Sequence, residues 1–188
     1  VRNGVLGNLK RMEVWSPALG PGALTRHVAP DDRELKVGPP PEDLDYDRWL
    51  GPAPDAPAGE VRCSNQGAYH ISDYPLGFIA GWGAHPLDIA IWGLDYDQQG
   101  PFKLRGTGVI ATPDALFNTI TTWDVNIEFA GGVKMRFMSD EAAKPIVSQY
   151  RKNWCGDGTT FYGPKGWISL SRGGRSEERR VGKECRSR

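Results

Sequence analysis

The chain changes its hydrophobic period once, near residue 100, and that change restricts the fold more than any other feature. Residues 72–93 carry apolar side chains at helical spacing, with a kink expected near Gly81 and Gly83. Beyond them apolar and polar residues alternate over 102–112, 119–130 and 133–139, and again over 159–162 and 165–171. Gly131-Gly132 reads as a two-residue hairpin turn with positive φ, and Gly163-Pro164 marks a second hairpin. With a further strand over residues 9–15, at least six strands are predicted, mostly consecutive and therefore mostly antiparallel. The fold class is α+β: an open, mainly antiparallel β-sheet with helices on one face.

The rest of the chain is punctuated rather than periodic. Residues 1–6 read as the end of a helix capped near Gly7. Residues 16–57 turn to proline and glycine around Pro39-Pro40-Pro41, a long excursion. Within it residues 45–52 make one helical turn, anchored by Trp49 and stopped by Gly51-Pro52. No apolar run approaches the roughly 18 residues of a membrane span, which predicts a soluble globular chain. The start at Val1, with no initiator Met or leader pattern, reads as the interior of a longer protein, so the compartment is left unassigned.

The last fourteen residues, 175–188, have no apolar period, follow Gly173-Gly174, and resemble the translated read-through of a sequencing adaptor. They are set aside as an artefactual, disordered tail. The whole chain has formal net charge 0, but this tail holds six of the basic and three of the acidic residues, so the remainder is at −3. A mildly acidic domain argues against a nucleic-acid partner. Outside the tail only Cys63 and Cys155 remain; they form no zinc spacing, and whether they pair stays open.

The chemistry concentrates in residues 77–93. Gly77, Gly81 and Gly83 each cost roughly 1 kcal/mol relative to alanine within a helix, so a helix that keeps them must gain close approach to a ligand or to the sheet. His85 and Asp88, three residues apart, share one helical face. Histidine titrates near working pH, and a carboxylate beside it can fix its tautomer, a pair suited to moving a hydroxyl proton. The same pair also reads as an ordinary satisfied polar contact. A metal held by His85, Asp88 and His70 lacks any recognised spacing, and none is predicted.

The segment Gly81-Trp82-Gly83-Ala84-His85-Pro86-Leu87-Asp88 resembles the Gly-x-His-x-x-Asp segment of the glucose-fructose oxidoreductase/inositol dehydrogenase/MocA (Gfo/Idh/MocA) family, in its bacterial branch. Residues 3–10, 45–54, 71–74 and 161–168 resemble the same family, so the likeness runs over residues 1–174. It implies the C-terminal, substrate and oligomerisation domain of a two-domain oxidoreductase. The Rossmann half that binds NAD or NADP is not matched: no Gly-x-Gly-x-x-Gly follows a strand, and Lys144-Pro145 is not the family lysine. The resemblance gives His85 the proton-relay position and Asp88 the place one turn on; Trp82, Tyr74 and Asp73 are read as lining the sugar site, since aromatic faces and carboxylates suit sugar rings and hydroxyls, with His70 a further candidate there. Many relatives carry an aspartate where Gly81 stands.

The expected function is the substrate-binding half of an NAD(P)-dependent oxidoreductase acting on a sugar or polyol hydroxyl, inactive as a fragment. The alternatives are an NAD-recycling sugar lyase, epimerase or glycosidase, and a non-catalytic sugar-binding or oligomerisation domain. For the last, residues such as Ile120, Trp123, Val125, Ile127, Phe129, Val133, Met135 and Phe137 are read as apolar on both sheet faces, one for the helix and one for a homo-oligomer partner.

Overall fold

The computed structural model describes residues 1–18, 37–95, 100–110, 113–181 and 186–187. Strands β1 (Arg11–Ser16), β2 (Phe102–Val109), β3 (Thr122–Phe129), β4 (Lys134–Ser139), β5 (Gly158–Gly163), β6 (Gly166–Leu170), β7 (Ser176–Arg180) and β8 (Arg186–Ser187) form one sheet in the order β2-β3-β4-β1-β5-β6-β7-β8. Among its described pairs only β1–β4 is parallel. The open, mainly antiparallel sheet expected from the sequence is present.

Strand periodicity separates two faces. On one, Met12 and Val14 of β1 lie beside Met135 and Phe137 of β4, and Trp123, Ile127 and Phe129 of β3 and Phe161 of β5 join them. The main helix covers this face. The sequence predicts one helix over 72–93; the structure divides it into α4 (Phe78–Gly81) and α5 (Ala84–Leu94), after three short helices α1 (Tyr46–Leu50), α2 (Glu60–Cys63) and α3 (Asn65–Ala68). Residues 72–77 form turns instead, because Gly77 has φ +70° and ψ −150°, a conformation no helix contains. Trp82 and Gly83 retain right-handed dihedrals, so α4 runs into α5 with little change of direction.

The eight apolar residues read as serving both faces therefore serve one, and of the apolar residues of β4 only Met138 belongs to the other side. Trp123, Ile127, Phe129, Val133, Met135 and Phe137 all join the helix-side core, with Ile120 and Val125 against it. This corrects the expectation of two apolar faces, since side chains two residues apart point the same way. The opposite face carries Arg11, Glu13, Lys103, Arg105, Asn126, Glu128, Lys134 and Arg136 around a groove of about 900 Å³. Asp124 and Arg136 meet there through two hydrogen bonds, 2.9 and 2.6 Å, and the guanidinium holds the carboxyl below its usual range.

At one end of that face a helix absent from the sequence prediction, α6 (Asp140–Val147), packs Ala143 and Val147 on Trp15 and Met138. Its signal was in the chain: Ser139 at the cap followed by Asp140 and Glu141 in the first turn. Beside it Glu13, 6% exposed, accepts hydrogen bonds from Tyr150 (2.9 Å) and Tyr162 (2.7 Å) and pairs with Arg11. Burial is the main cause that raises both phenol pKa values, so each stays a donor.

Several local expectations change. Residues 1–7 form turns with positive φ at Gly4 and Gly7, not a helix end. The β3–β4 hairpin closes from Phe129 to Val133, with Gly132 alone at positive φ (+79°), so its loop is longer than two residues. Cys63 and Cys155 are free thiols, and Cys185 lies outside the described residues, as do residues 111–112 of the predicted strand. The tail expected to be disordered adds strand β7 to the sheet: β6 offers an open edge whose main-chain groups pair irrespective of side-chain polarity. Glu177 in this strand is 2% exposed and accepts the Lys152 and Asn153 N–H groups, both at 2.8 Å. Residues 182–185 and 188 lie outside the described residues.

Helix α5 approaches the sheet at Gly93, where a Cβ would stand 2.5 Å from two atoms of the Phe161 ring. Phe161 is 1% exposed and has no room to yield. Gly93→Ala gains up to about 1 kcal/mol of helix propensity but incurs about 1–3 kcal/mol of overpacking. The variant is expected to unfold at lower urea concentration than the unmodified protein; an unchanged or higher midpoint contradicts this packing.

Candidate functional site

The site residues lie where α4 passes into α5. His85 is the second residue of α5 and is exposed, as is Asp88 one turn further along. No hydrogen bond joins them among the described residues, so the expected orientation of His85 by Asp88 is not made here. The ring of His85 instead meets Trp82 edge to face at 5.7 Å. Side chains on a helix lean toward its N-terminus, which brings His85 back onto the preceding turn.

Trp82 continues an aromatic row. Phe78 lies 6.5 Å from Trp82, Tyr69 5.6 Å from Phe78, and His70 5.1 Å from Phe78, all edge to face. His70 is 5% exposed and also faces Phe117 at 5.8 Å. Thus His70 is a wall behind the row rather than a surface ligand. On the outer side the Arg172 guanidinium stands 5.6 Å over the Trp82 ring, and the backbone N–H of Arg172 donates to the Asp157 carboxylate (2.9 Å).

Tyr74 and Asp73 do not join this group. The Tyr74 ring packs edge to face on Trp49 at 5.0 Å and its hydroxyl accepts a hydrogen bond from Arg62 (2.8 Å), while Trp49 stacks on Tyr46 at 5.6 Å. Tyr74 fastens α1, the short helical turn foreseen at residues 45–52, to the chain before α4. Asp73 is exposed on the intervening turn.

The glycines are explained by protein neighbours. A Cβ at Gly83 would stand 2.0 Å from the Ile79 carbonyl oxygen and 2.7 Å from the Phe137 ring, one at Gly77 2.4 Å from Thr119 Oγ1, and one at Gly81 1.1 Å from the Tyr69 hydroxyl. Close approach to the sheet and its loops, one of the two readings open from sequence, accounts for Gly77 and Gly83. Asn118 and Thr119 complete the turn: Asn118 donates to the His70 carbonyl (3.1 Å) and its side chain accepts the Ser72 N–H (2.8 Å). Neither Asn118, Thr119, Tyr69 nor Arg172 carries a local signal; each reaches the site through long-range packing.

Among the described residues no group of three metal-ligating side chains converges, and no helix is long and apolar enough to cross a membrane. Nor do the described residues offer a dinucleotide cradle, since no glycine-rich turn links parallel strands through a helix.

Residues 25–146, more than half of the chain, match the model of an oxidoreductase family's C-terminal alpha/beta domain, the Gfo/Idh/MocA one. The chain belongs to that family. Among curated proteins no sequence matches. Its fold is shared with solved structures at low identity. An aldose-aldose oxidoreductase from Caulobacter crescentus complexed with glycerol is 12% identical with a TM-score of 0.53, over 100% of this chain and 41% of that one. An inositol dehydrogenase homolog from Azotobacter vinelandii complexed with NADH and myo-inositol is 12% identical with a TM-score of 0.52, over 100% and 36%. An oxidoreductase from Agrobacterium radiobacter in complex with NAD+, L-tartaric acid and magnesium is 13% identical with a TM-score of 0.51, over 100% and 39%. This Gfo/Idh/MocA domain thus spans about two fifths of the length of these oxidoreductases.

Gly77 sets the angle at which α4 enters the site. Gly77→Ala places a Cβ in a conformation that L residues rarely adopt and against Thr119, whose own Cβ would be 2.7 Å away. The variant is expected to lose about 2 kcal/mol or more of stability in chemical denaturation. Equal stability would show that the turn relaxes freely and does not fix the helix.

Proposed function

We propose that this domain is the substrate-side half of an NAD(P)-dependent oxidoreductase that acts on a sugar or polyol hydroxyl. One observation carries the reading: in a chain of this oxidoreductase family, an exposed histidine at the start of a helix is held edge-on to a tryptophan ring. Tryptophan faces suit the apolar faces of sugar rings, and a histidine beside them can take the proton of a hydroxyl being oxidised. His85 has that role here, and Trp82, with the Arg172 guanidinium over its ring, is the aromatic wall beside it. Asp88, exposed on the same helix, is an acceptor for a neighbouring substrate hydroxyl. The bound NADH, NAD+, myo-inositol and glycerol named for the structural neighbours support the same substrate and cofactor classes.

The NAD(P) would be held mainly by a Rossmann domain of the full-length protein, and the described residues contain no glycine-rich turn between parallel strands to cradle it. What this domain contributes is orientation and proton transfer at the substrate oxygen. His70, Phe78 and Tyr69 back the Trp82 row through edge-to-face ring contacts.

In the full-length protein His85→Ala should reduce turnover of its sugar or polyol by about 10² or more. The rate is measured as sugar-dependent reduction of NAD+ or NADP+ across a panel of sugars and polyols. Turnover equal to that of the unmodified enzyme rejects His85 as the proton-transfer residue.

A further inference from the structure

The Tyr69 hydroxyl fills the place of a missing side chain. An added Cβ at Gly81 would lie 1.1 Å from Tyr69 Oη, so residue 81 stays without a side chain and a phenol from the end of α3 occupies its position. Gly81 is four residues before His85, and α4 runs into α5 with helical dihedrals at Trp82 and Gly83. Positions four apart on such a path lie about 6 Å apart at Cβ, and His85 leans back toward the earlier turn. The phenol oxygen and the imidazole therefore stand about one helical turn apart on one side of the helix.

The Tyr69 ring is held by Phe78 and His70, at 5.6 and 5.3 Å. Its hydroxyl makes no hydrogen bond with any described residue, and it is not among the buried polar atoms sealed from solvent. Burial of the ring raises the phenol's pKa, which keeps the proton in place near neutral pH. A fixed ring that presents an unused hydroxyl is a recognition group, because a site built to hydrogen-bond a hydroxyl rejects an analogue that lacks it.

We propose that Tyr69 is a specificity-determining residue of the sugar site, its hydroxyl donating a hydrogen bond to a substrate hydroxyl next to the one that His85 deprotonates. This assignment rests on the function proposed above. It gives the domain a preference for substrates with adjacent hydroxyls, and it makes Gly81 the clearance that admits the phenol.

The test uses the full-length protein and whichever sugar or polyol of a panel it oxidises fastest, together with the monodeoxy analogues of that compound. The unmodified enzyme should discriminate against one analogue by about tenfold, the worth of one hydrogen bond. Tyr69→Phe should lower kcat/KM for the parent compound by about tenfold and lose discrimination against that analogue alone, with an unchanged melting temperature. Gly81→Ala, which pushes the hydroxyl aside, should reproduce the effect, and the double variant should add nothing. If Gly81→Ala misfolds, Tyr69→Phe decides by itself. A Tyr69→Phe enzyme with the parent kcat/KM and the full discrimination pattern overturns the assignment, while loss of turnover in His85→Ala leaves the proposed function standing. Oxidation of no sugar or polyol removes the proposed function and this assignment with it.

Discussion

Close contact between the α4–α5 helix and the sheet determines where every candidate site residue lies. At Gly93 the helix backbone reaches the Phe161 ring, and at Gly83 it reaches the Phe137 ring. Pro86, between them, accepts a hydrogen bond through its carbonyl from Thr159 of β5 at 2.7 Å. Two glycines and one polar contact thus fix the helix in height and rotation over β4 and β5. With that rotation set, Ala90 and Leu94 enter the core while His85 and Asp88 face outward. The exposed chemistry is a consequence of which side of α5 has no side chains.

The two sheet faces have different characters because the strands alternate. The helix side holds a continuous apolar core through β1, β3, β4 and β5. The other side combines a small apolar cluster under α6 with a charged groove, in which Glu13 and Asp124 are already engaged by Arg11, Tyr150, Tyr162 and Arg136. Removing one partner from the Glu13 group would leave a buried carboxylate short of donors, a costly arrangement. That interlocked set makes the groove part of the scaffold, and the candidate site belongs to the helix side.

Much of the fold was legible in the sequence, and the reason is periodicity. Alternation over 122–129 and 134–139, with glycine between, gave the β3–β4 hairpin to within a few residues, and Asp45 with Gly51-Pro52 bounded α1. What escaped depends on contacts distant in the chain. The helix over 72–93 was too long because a glycine's φ at residue 77 is set by Thr119, more than forty residues away. The two-faced apolar reading erred by ignoring that Trp123, Val125, Ile127 and Phe129 occur at every second residue and so share a face. The short α6 was signalled by Ser139-Asp140-Glu141, but it is only eight residues long and holds Pro145, a residue that ordinarily ends a helix.

For the site, local pattern gave His85, Asp88 and Trp82 as neighbours on one helix, and the structure brings Trp82 and His85 into ring contact. Tyr74 stands apart from the Trp82 row because its partners, Trp49 and Arg62, lie on separate elements. Tyr69 was invisible because nothing in the sequence links it to the gap at Gly81. The most direct measurement of the central claim is the position of a bound polyol in a crystal of the full-length protein with myo-inositol. The account predicts the ring against Trp82 with one hydroxyl within about 3 Å of the His85 imidazole; a ring seated in the charged groove between Arg11 and Lys103 would contradict it.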